Sequence, residues 1–207
     1  MKVQKAYNLW AKQYDYVENP TRDLDKKSTI ETLSKYDFEN VIELGCGTGK
    51  NTMFLLEKAK KIIGLDFSQK MLNQAKAKLK DGRVLLQQAD ITQNWEIKNN
   101  FADLITSSLT LEHIEDLDHI FHQAFLKLKK DGIFFISEYH PFKQYLGKKA
   151  RFETEEGLVE IDAFVHNTSE YLDSAKANGF ELLEIKEWFD EEPNNELPRL
   201  ISFVFKK

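Results

Sequence analysis

The sequence is poor in cysteine and lacks long apolar runs. Cys46 is the single cysteine among 207 residues, so no internal disulfide and no zinc site built on cysteines can form. The histidines show no metal-ligand spacing either, which predicts a protein without a metal. No stretch approaches the roughly 18 apolar residues that span a membrane, and the first residues lead into no secretory signal. These absences favour a protein of the reducing cytoplasm.

The charge balance argues against a broad phosphate-binding surface. The formal net charge is −5, with 42% hydrophobic and 30% charged residues, which is typical of a soluble globular protein. The length suits one domain over residues 1–207. No repeat, low-complexity tract or linker interrupts it.

The residues that are present are organised around a glycine-rich stretch at 41–49. An apolar run ends at Leu44, and Gly45, Gly47 and Gly49 then alternate with other residues before a helix-like segment at 51–58. This predicts a strand, a tight turn that a ligand can approach, and a helix start. A dinucleotide-binding loop places its third glycine where Lys50 stands. The spacing therefore disfavours an NAD-linked oxidoreductase, which remains an alternative.

Two further strands end on carboxylates. The run at 61–66 ends at Asp66, 21 residues after Gly45, where a ribose-binding acid is expected. The run at 83–89 is followed by Asp90. Further strands at 40–44, 101–107 and 133–136 alternate with amphipathic helices, which predicts a parallel sheet with these acids at one edge.

The pattern Glu43-x-Gly-x-Gly-x-Gly resembles motif I of the class I S-adenosylmethionine-dependent methyltransferases. The resemblance extends from about residue 36 to the end, where strands at 180–188 and 199–205 read as an antiparallel hairpin turning at 193–195. It implies an α/β, doubly wound, seven-stranded, mostly parallel Rossmann-like sheet with an antiparallel C-terminal hairpin. It also implies methyl transfer from S-adenosyl-L-methionine to a small-molecule acceptor by in-line displacement, with S-adenosyl-L-homocysteine as product.

The resemblance implies cofactor contacts along the strand ends. Asp66 would hold the ribose hydroxyls, Asp90 would meet the adenine amino group, and Ile91 would pack on the adenine face. The cofactor-binding residues implied are Tyr14, Glu43, Gly45, Gly47, Thr48, Gly49, Asp66, Phe67, Met71, Asp90, Ile91 and Ser107.

Three residues are candidates for proton transfer from an acceptor hydroxyl or amine. His113 follows the fourth strand in a segment that resembles the corresponding one of small-molecule methyltransferases, and histidine titrates near neutrality. The alternative for His113 is a structural role near a helix start. Tyr139 and His140 follow the fifth strand and complete the set.

The segments before and after a predicted cofactor-binding core at 36–138 have separate predicted roles. Residues 1–35 are predicted to form a helical cap, in which Tyr7, Trp10 and Tyr14 share one face. Residues 139–167 form a long segment, predicted to cover the acceptor with Tyr14, Tyr139 and Arg151 as binding residues. Residues 168–207 supply the last helix and the hairpin. The alternatives are a packing helix and a solvated loop.

Other functions are weighed against these patterns. The Asn/Asp-Pro-Pro-aromatic signature of base methyltransferases is absent after the fourth strand, which disfavours nucleic-acid substrates. A non-catalytic protein that binds S-adenosylmethionine is the main alternative. The identity of the acceptor, the methylated atom and the oligomeric state stay open.

Overall fold

The computed structural model describes residues 3–147, 149–154, 157–191 and 197–207. The helices are α1 (Val3–Trp10), α2 (Pro20–Leu33), α3 (Lys50–Leu55), α4 (Gln69–Lys78), α5 (Leu117–Lys127), α6 (Pro141–Tyr145) and α7 (Thr168–Ala177), with a 3₁₀ turn at Leu111–His113. The strands are β1 (Asn40–Leu44), β2 (Lys61–Asp66), β3 (Val84–Gln88), β4 (Ala102–Ser108), β5 (Leu128–Tyr139), β6 (Arg151–Thr154), β7 (Gly157–Glu160), β8 (Glu181–Trp188) and β9 (Leu200–Lys206). None of the described helices has both the length and the apolar character needed to cross a bilayer.

Seven strands form one sheet in the order β3-β2-β1-β4-β5-β9-β8. The pairs from β3 to β5 are parallel, whereas β9 pairs antiparallel with both β5 and β8. The predicted fold class is confirmed. The turn predicted at 193–195 lies outside the described residues.

The strand order creates a crevice beside β1. After β3 the chain crosses back over the sheet to form β4 on the other side of β1. The segments that follow β1 and β4 therefore diverge, and ligands of doubly wound sheets bind at such a point.

Neighbouring strand residues point to opposite faces of the sheet, and helices bury both faces. Ile42, Ile105 and Phe134 pack with α5 and α7 in one cluster. Val41 and Phe135 pack with α2 and α3 in a second cluster on the other face.

The segment between β5 and α7 is where the sequence was least informative. It was expected to lack one regular element, and it holds the short helix α6 and the hairpin β6–β7. The N-terminal helix is shorter than its aromatic pattern suggested, since α1 ends at Trp10 and Tyr14 lies in the following turn.

Candidate active site

A glycine loop joins β1 to α3 at the carboxyl end of the sheet. Gly45, Gly47 and Gly49 have φ values of +63°, +53° and +81°, a region that glycine enters without a Cβ penalty. A Cβ added to Gly45 would lie 2.1 Å from Thr110 Oγ1. A Cβ added to Gly47 would meet nothing nearer than Gly45 O, at 3.9 Å. Gly47 therefore presents bare backbone to open space.

Cys46 fixes this loop on β2. Its N–H donates to Leu65 O at 3.0 Å. Its side chain is buried, and a Cβ added to Gly64 would stand 2.9 Å from Cys46 Sγ. Burial raises the pKa of the thiol well above its usual value. Cys46 thus packs beneath the loop with its sulfur protonated at neutral pH.

Asp66 lies at the end of β2, directly opposite the loop. Its Oδ2 accepts the Gly47 N–H at 2.8 Å, and its Oδ1 accepts the Ser68 N–H at 2.7 Å. Burial raises the pKa of Asp66 to about 6, although both backbone donors oppose that rise. A carboxylate accepts about four hydrogen bonds, so Asp66 keeps capacity for donors from a ligand.

The space beside Asp66 is a cleft, called here the main cleft, of about 660 Å³ that opens in part to solvent. Its walls are mostly apolar, and carboxylates stand at two strand ends. The lining residues are Tyr7, Tyr14, Gly45, Gly47, Asp66, Phe67, Met71, Ala89, Asp90, Ile91, Ser108, Leu109, Thr110, His113 and Ile114. This mixture of apolar walls and a few carboxylates suits a ligand with a flat apolar part and a few polar groups.

Aromatic side chains from the N-terminal segment cover the main cleft. The Tyr7 ring lies 6.1 Å from the Phe67 ring, and the Trp10 ring lies 4.8 Å from the Tyr14 ring. Trp10 also stacks on Phe152 of β6 at 5.0 Å. The cover is therefore built from two parts of the chain that are far apart in sequence.

Tyr7 and His113 form a hydrogen-bonded pair at the rim of the main cleft. His113 Nδ1 lies 2.9 Å from the Asp162 carbonyl oxygen, and Nε2 lies 2.9 Å from the Tyr7 hydroxyl. A carbonyl only accepts, so Nδ1 carries the proton. In the neutral ring Nε2 is then the proton acceptor, and Tyr7 donates to it, with Glu112 Oε1 3.7 Å from the same nitrogen.

Glu138 positions the turn that carries His113. Its Oε1 accepts the N–H groups of Thr110 and Leu111 at 3.0 and 2.9 Å. Burial and the neighbouring Glu112 raise the pKa of Glu138 to about 8. Because these hydrogen bonds fix the 3₁₀ turn on β5, they also fix the direction of the His113 ring.

A smaller space, called here the inner chamber, lies behind the glycine loop. It is lined by Tyr14, Arg22, Asp25, Glu43, Leu44, Gly45, Cys46, Gly47, Thr48, Lys50, Asn51, Thr106, Ser108 and Leu109. Glu43 Oε2 accepts the Thr52 hydroxyl at 2.5 Å, and burial raises the pKa of Glu43 to about 8. The Arg22 guanidinium lies 4.2 Å from the Tyr14 ring centroid and donates to the Tyr14 and Val17 carbonyls.

Arg22 and Asp25 lie one turn apart on α2, and both line the inner chamber. Asp25 is buried, accepts from Asn51 Nδ2 at 3.0 Å, and has its pKa raised by burial. Arg22 is buried too, and its Nε has no partner among the described residues. A buried unpaired donor is costly, so a ligand carrying both an anion and a cation would relieve both groups.

A third space, called here the outer cleft, lies between the N-terminal segment and the region from α6 to β7. Its lining residues are Tyr7, Trp10, Tyr14, Glu18, Asn19, Pro20, Thr21, Arg22, Leu109, Glu112, Tyr139, Lys143, Leu146, Gly147, Lys149, Ala150, Arg151, Glu160 and Arg199. Tyr7, Tyr14 and Leu109 line the main cleft as well. The two clefts therefore lie side by side beneath the aromatic cover and share these three residues as a common wall.

Comparison with known proteins agrees with this geometry. Residues 42–136 match the family model for a methyltransferase domain, over the part of the chain that holds the glycine loop, Asp66 and Asp90. Residues 42–136 therefore form a domain of the class I S-adenosylmethionine-dependent methyltransferase type.

The individual relatives of this chain are distant. Malonyl-[acyl-carrier protein] O-methyltransferase 1 of Ilyobacter polytropus is 30% identical over 164 residues, which cover 78% of this chain and 58% of that protein. An uncharacterized protein of Haemophilus influenzae is 27% identical over 174 residues, covering 81% and 65%. The chain thus spans less than two thirds of the length of these relatives. A methyltransferase structure from Mesorhizobium loti has a TM-score of 0.74 at 20% identity, covering 89% of this chain and 98% of that one, and shares the fold.

The residues of this site fit the methyl donor of the matched domain family. Asp66 offers a charged acceptor where paired ribose hydroxyls would donate, and the apolar wall suits an adenine ring. The bare backbone at Gly47 leaves a space that a side chain would fill. Arg22 and Asp25 match the carboxylate and ammonium of an amino-acid tail.

The structure brings together most of the residues expected to bind the donor. Nine of the predicted site residues line the main cleft, namely Tyr14, Gly45, Gly47, Asp66, Phe67, Met71, Asp90, Ile91 and His113. Glu43 and Thr48 line the inner chamber. Tyr139 and Arg151 line the outer cleft with Tyr14.

Three predicted residues lie elsewhere. Gly49 is the N-cap of α3, where an added Cβ would stand 2.6 Å from Leu79 Cδ1. Ser107 is fully buried, because alternation along β4 turns Ser108 instead toward the clefts. His140 caps α6, with Nδ1 accepting the Phe142 N–H at 3.2 Å and Nε2 facing Glu187. This geometry gives His140 a structural role.

Sequence reasoning missed Tyr7, Arg22, Asp25 and Glu138 as site residues. The aromatic face that includes Tyr7 was visible, but its partner is 106 positions away. Arg22 and Asp25 share one face of α2 at a spacing of three residues, and this was the available signal for them. Nothing local marks Glu138.

Replacing Asp25 with asparagine is expected to weaken binding of S-adenosylmethionine by about 10- to 150-fold, the loss for a hydrogen bond to a charged group. Binding of 5′-methylthioadenosine, which lacks the amino-acid tail, should not change. Calorimetry with both ligands measures the difference. Asp23→Asn is the matched control, because Asp23 is an exposed acid on the same helix. Equal losses for the two ligands would contradict a role of Asp25 toward the tail.

Proposed function

We propose that this protein transfers the methyl group of S-adenosylmethionine to a small acceptor bound in the outer cleft, and releases S-adenosylhomocysteine. The adjacency of the main and outer clefts, which share Tyr7, Tyr14 and Leu109 as a common wall, carries this proposal. A donor on one side and an acceptor on the other would approach beneath the same aromatic cover. Residues 1–35 and 139–167 act as the cap and the acceptor cover of a single domain.

The donor supplies a sulfonium whose methyl group is already activated, so the protein contributes mainly alignment and exclusion of water. Asp66 holds the ribose, Asp90 meets the adenine amino group, and Ile91 packs on the ring. Arg22 and Asp25 hold the tail.

His113 is the proton acceptor for an acceptor hydroxyl or amine. The Asp162 carbonyl holds the ring with Nε2 unprotonated, and the Tyr7 hydroxyl occupies Nε2 until an acceptor arrives. An acceptor at the junction of the clefts donates to Nε2 directly or through Tyr7. Tyr139 lines the outer cleft near Arg199 and contributes to acceptor binding.

Replacing His113 with asparagine is expected to lower kcat/KM for such an acceptor by about 100- to 10,000-fold, the range for loss of a general base. Affinity for S-adenosylhomocysteine should change little, because the proposed donor contacts lie on other residues. Steady-state kinetics and calorimetry separate the two quantities. His122→Asn, on the helix that follows, is the control. A fall in donor affinity that matches the loss of kcat/KM would contradict this role.

The proposed function is tested by incubating the protein with methyl-labelled S-adenosylmethionine and a fractionated metabolite extract. Malonyl-acyl carrier protein is tested as a further candidate acceptor, because one relative is a malonyl-[acyl-carrier protein] O-methyltransferase. Label in a metabolite, together with S-adenosylhomocysteine and absent with Asp66→Ala, supports the proposal.

The same experiment distinguishes the alternatives. Tight binding of S-adenosylmethionine with no label in any fraction favours a non-catalytic binding protein. Binding of NAD in place of S-adenosylmethionine favours an oxidoreductase. Label in RNA or DNA that is lost as ionic strength rises would overturn the choice of a small acceptor.

A further inference from the structure

Three cations without a side-chain partner among the described residues gather in the outer cleft. Lys143 follows the start of α6, Lys149 lies between α6 and β6, and Arg151 begins β6, and all three line the cleft. None of them has a side-chain hydrogen bond or ion pair with another described residue. They converge in a chain whose net charge is −5, so their grouping is not a consequence of composition.

The other two cations of the outer cleft are already engaged. Arg199 forms an ion pair with Asp190 and donates to Thr21 Oγ1 at 3.0 Å. Arg22 is held by backbone carbonyls and by the Tyr14 ring, and it also lines the inner chamber, where it is assigned to the amino-acid tail of the donor rather than to the acceptor. The cations available to a ligand therefore lie on the side of the cleft formed by α6 and β6.

The acids of the outer cleft do not neutralise these three cations. Glu112 is buried, and its Oε2 faces Gln144 Nε2 at 3.4 Å rather than one of the three cations. Glu160 stands opposite Arg151 in the β6–β7 register, yet their side chains form no ion pair in the described part of the chain. Glu18 lies on the opposite side, in the segment before α2.

We propose that the outer cleft binds an acceptor through an anionic group, a carboxylate or a phosphate, held by Arg151, Lys143 and Lys149. This inference rests on the proposed function and names the class of acceptor. Arg151 is best suited to the anion, because its planar guanidinium binds such groups through two parallel hydrogen bonds. The rest of the acceptor then extends past Tyr14 and Leu109, which the two clefts share, toward His113 in the main cleft.

The solvent exposure of these three cations determines which measurements test the anion site. All three cations are exposed or half-buried, so salt screens their attraction for an anion. The binding should therefore weaken as ionic strength rises, and a neutral analogue of the same shape should bind poorly. The N-terminal segment and β6, which both cover the cleft, are joined by the stacking of Trp10 on Phe152. The complex with S-adenosylhomocysteine is therefore the appropriate state for measurement.

The test compares 4-hydroxybenzoate, 4-hydroxybenzamide and inorganic phosphate as probes, by calorimetry on the complex with S-adenosylhomocysteine. We expect at least one anion to bind about tenfold or more tightly than the amide, and to lose affinity between about 0.1 and 0.5 M salt. Binding of only the benzoate indicates a carboxylate group, and binding of only phosphate indicates a phosphate group. Arg151→Gln should reduce anion affinity about tenfold or more, while Lys98→Gln, an exposed lysine outside the cleft, should leave it unchanged.

Two results would overturn the proposal. One is equal or absent binding of the anions and the amide, and the other is unchanged anion affinity in both Arg151→Gln and the double variant Lys143→Gln/Lys149→Gln. The affinity for S-adenosylhomocysteine is measured first, in the same calorimeter. If it is absent, the proposed function fails, whereas the probes still test the anion site on the free protein.

Discussion

Replacing Gly47 with valine is expected to lower the affinity for S-adenosylmethionine by about 100-fold or more, which corresponds to about 2.7 kcal/mol. The left-handed conformation at φ +53° costs an L-residue about 1–2 kcal/mol. The valine methyl groups would also enter the open space beside the loop, where an added Cβ has no neighbour nearer than 3.9 Å. The Gly47 N–H donates to Asp66, so a shifted loop disturbs the ribose site too.

Calorimetry measures this loss, and a thermal melt separates it from unfolding. Gly82→Val is the matched control, because a Cβ at Gly82 meets nothing within 4 Å and its φ is not positive. Gly82 lies outside the three clefts. An affinity for S-adenosylmethionine within about threefold of wild type in Gly47→Val would show that the loop backbone does not face the ligand.

Replacing Asp66 with alanine is expected to weaken binding of the donor by about 1.5–3 kcal/mol, the range for hydrogen bonds to a charged acceptor. The loss should be similar for S-adenosylmethionine, S-adenosylhomocysteine and 5′-methylthioadenosine, since all three carry the same ribose. Asp118→Ala, an exposed acid on α5, serves as control. A loss confined to ligands with the amino-acid tail would place Asp66 elsewhere in the site.

Asp66 also makes the binding of the donor depend on pH. The pKa of Asp66 is raised to about 6 in the folded protein, and ribose hydroxyls are best accepted by the ionised form. Affinity should therefore fall as pH drops below about 6, by up to tenfold per unit, and level off above it. Asp66→Asn should remove this dependence. A pH profile that persists in Asp66→Asn would assign the dependence to another group.

Stability should show the opposite trend with pH. Raised pKa values mean that the folded protein binds more protons than the unfolded chain over the intervening pH range, so the free energy of unfolding falls as pH rises. For Asp66 the favourable contribution is complete below its unfolded value of about 3.9 and is lost as pH rises through about 6. Glu43 and Glu138 extend the fall toward about pH 8.

The core of the fold and the donor site could be predicted because their signals are local. The apolar runs at Asn40–Leu44 and Lys61–Asp66 became strands with those bounds. In a parallel sheet the carboxyl ends of neighbouring strands share one edge. The loop at Gly47 and the acid at Asp66 therefore had to meet, and their hydrogen bond shows that they do.

The cover and the acceptor side depend on contacts that the sequence does not encode locally. Trp10 stacks on Phe152, and Tyr7 reaches His113, across separations of more than one hundred residues. Ser107 was assigned in place of Ser108 because a shift of one residue along a strand exchanges its two faces. His140 was taken for a catalytic group, whereas the proline that follows it begins α6 and makes it a cap.

The buried thiol beneath the glycine loop makes it possible to measure how often that loop opens. Cys46 is the sole thiol of the sequence, and because it is buried we expect an alkylating reagent to react with it mainly when the loop lifts from β2. Because a ligand that contacts the loop makes such moments rarer, the rate of alkylation falls as the site fills. Chemical labelling thus turns the opening of the loop into a measurable rate, without any change to the sequence.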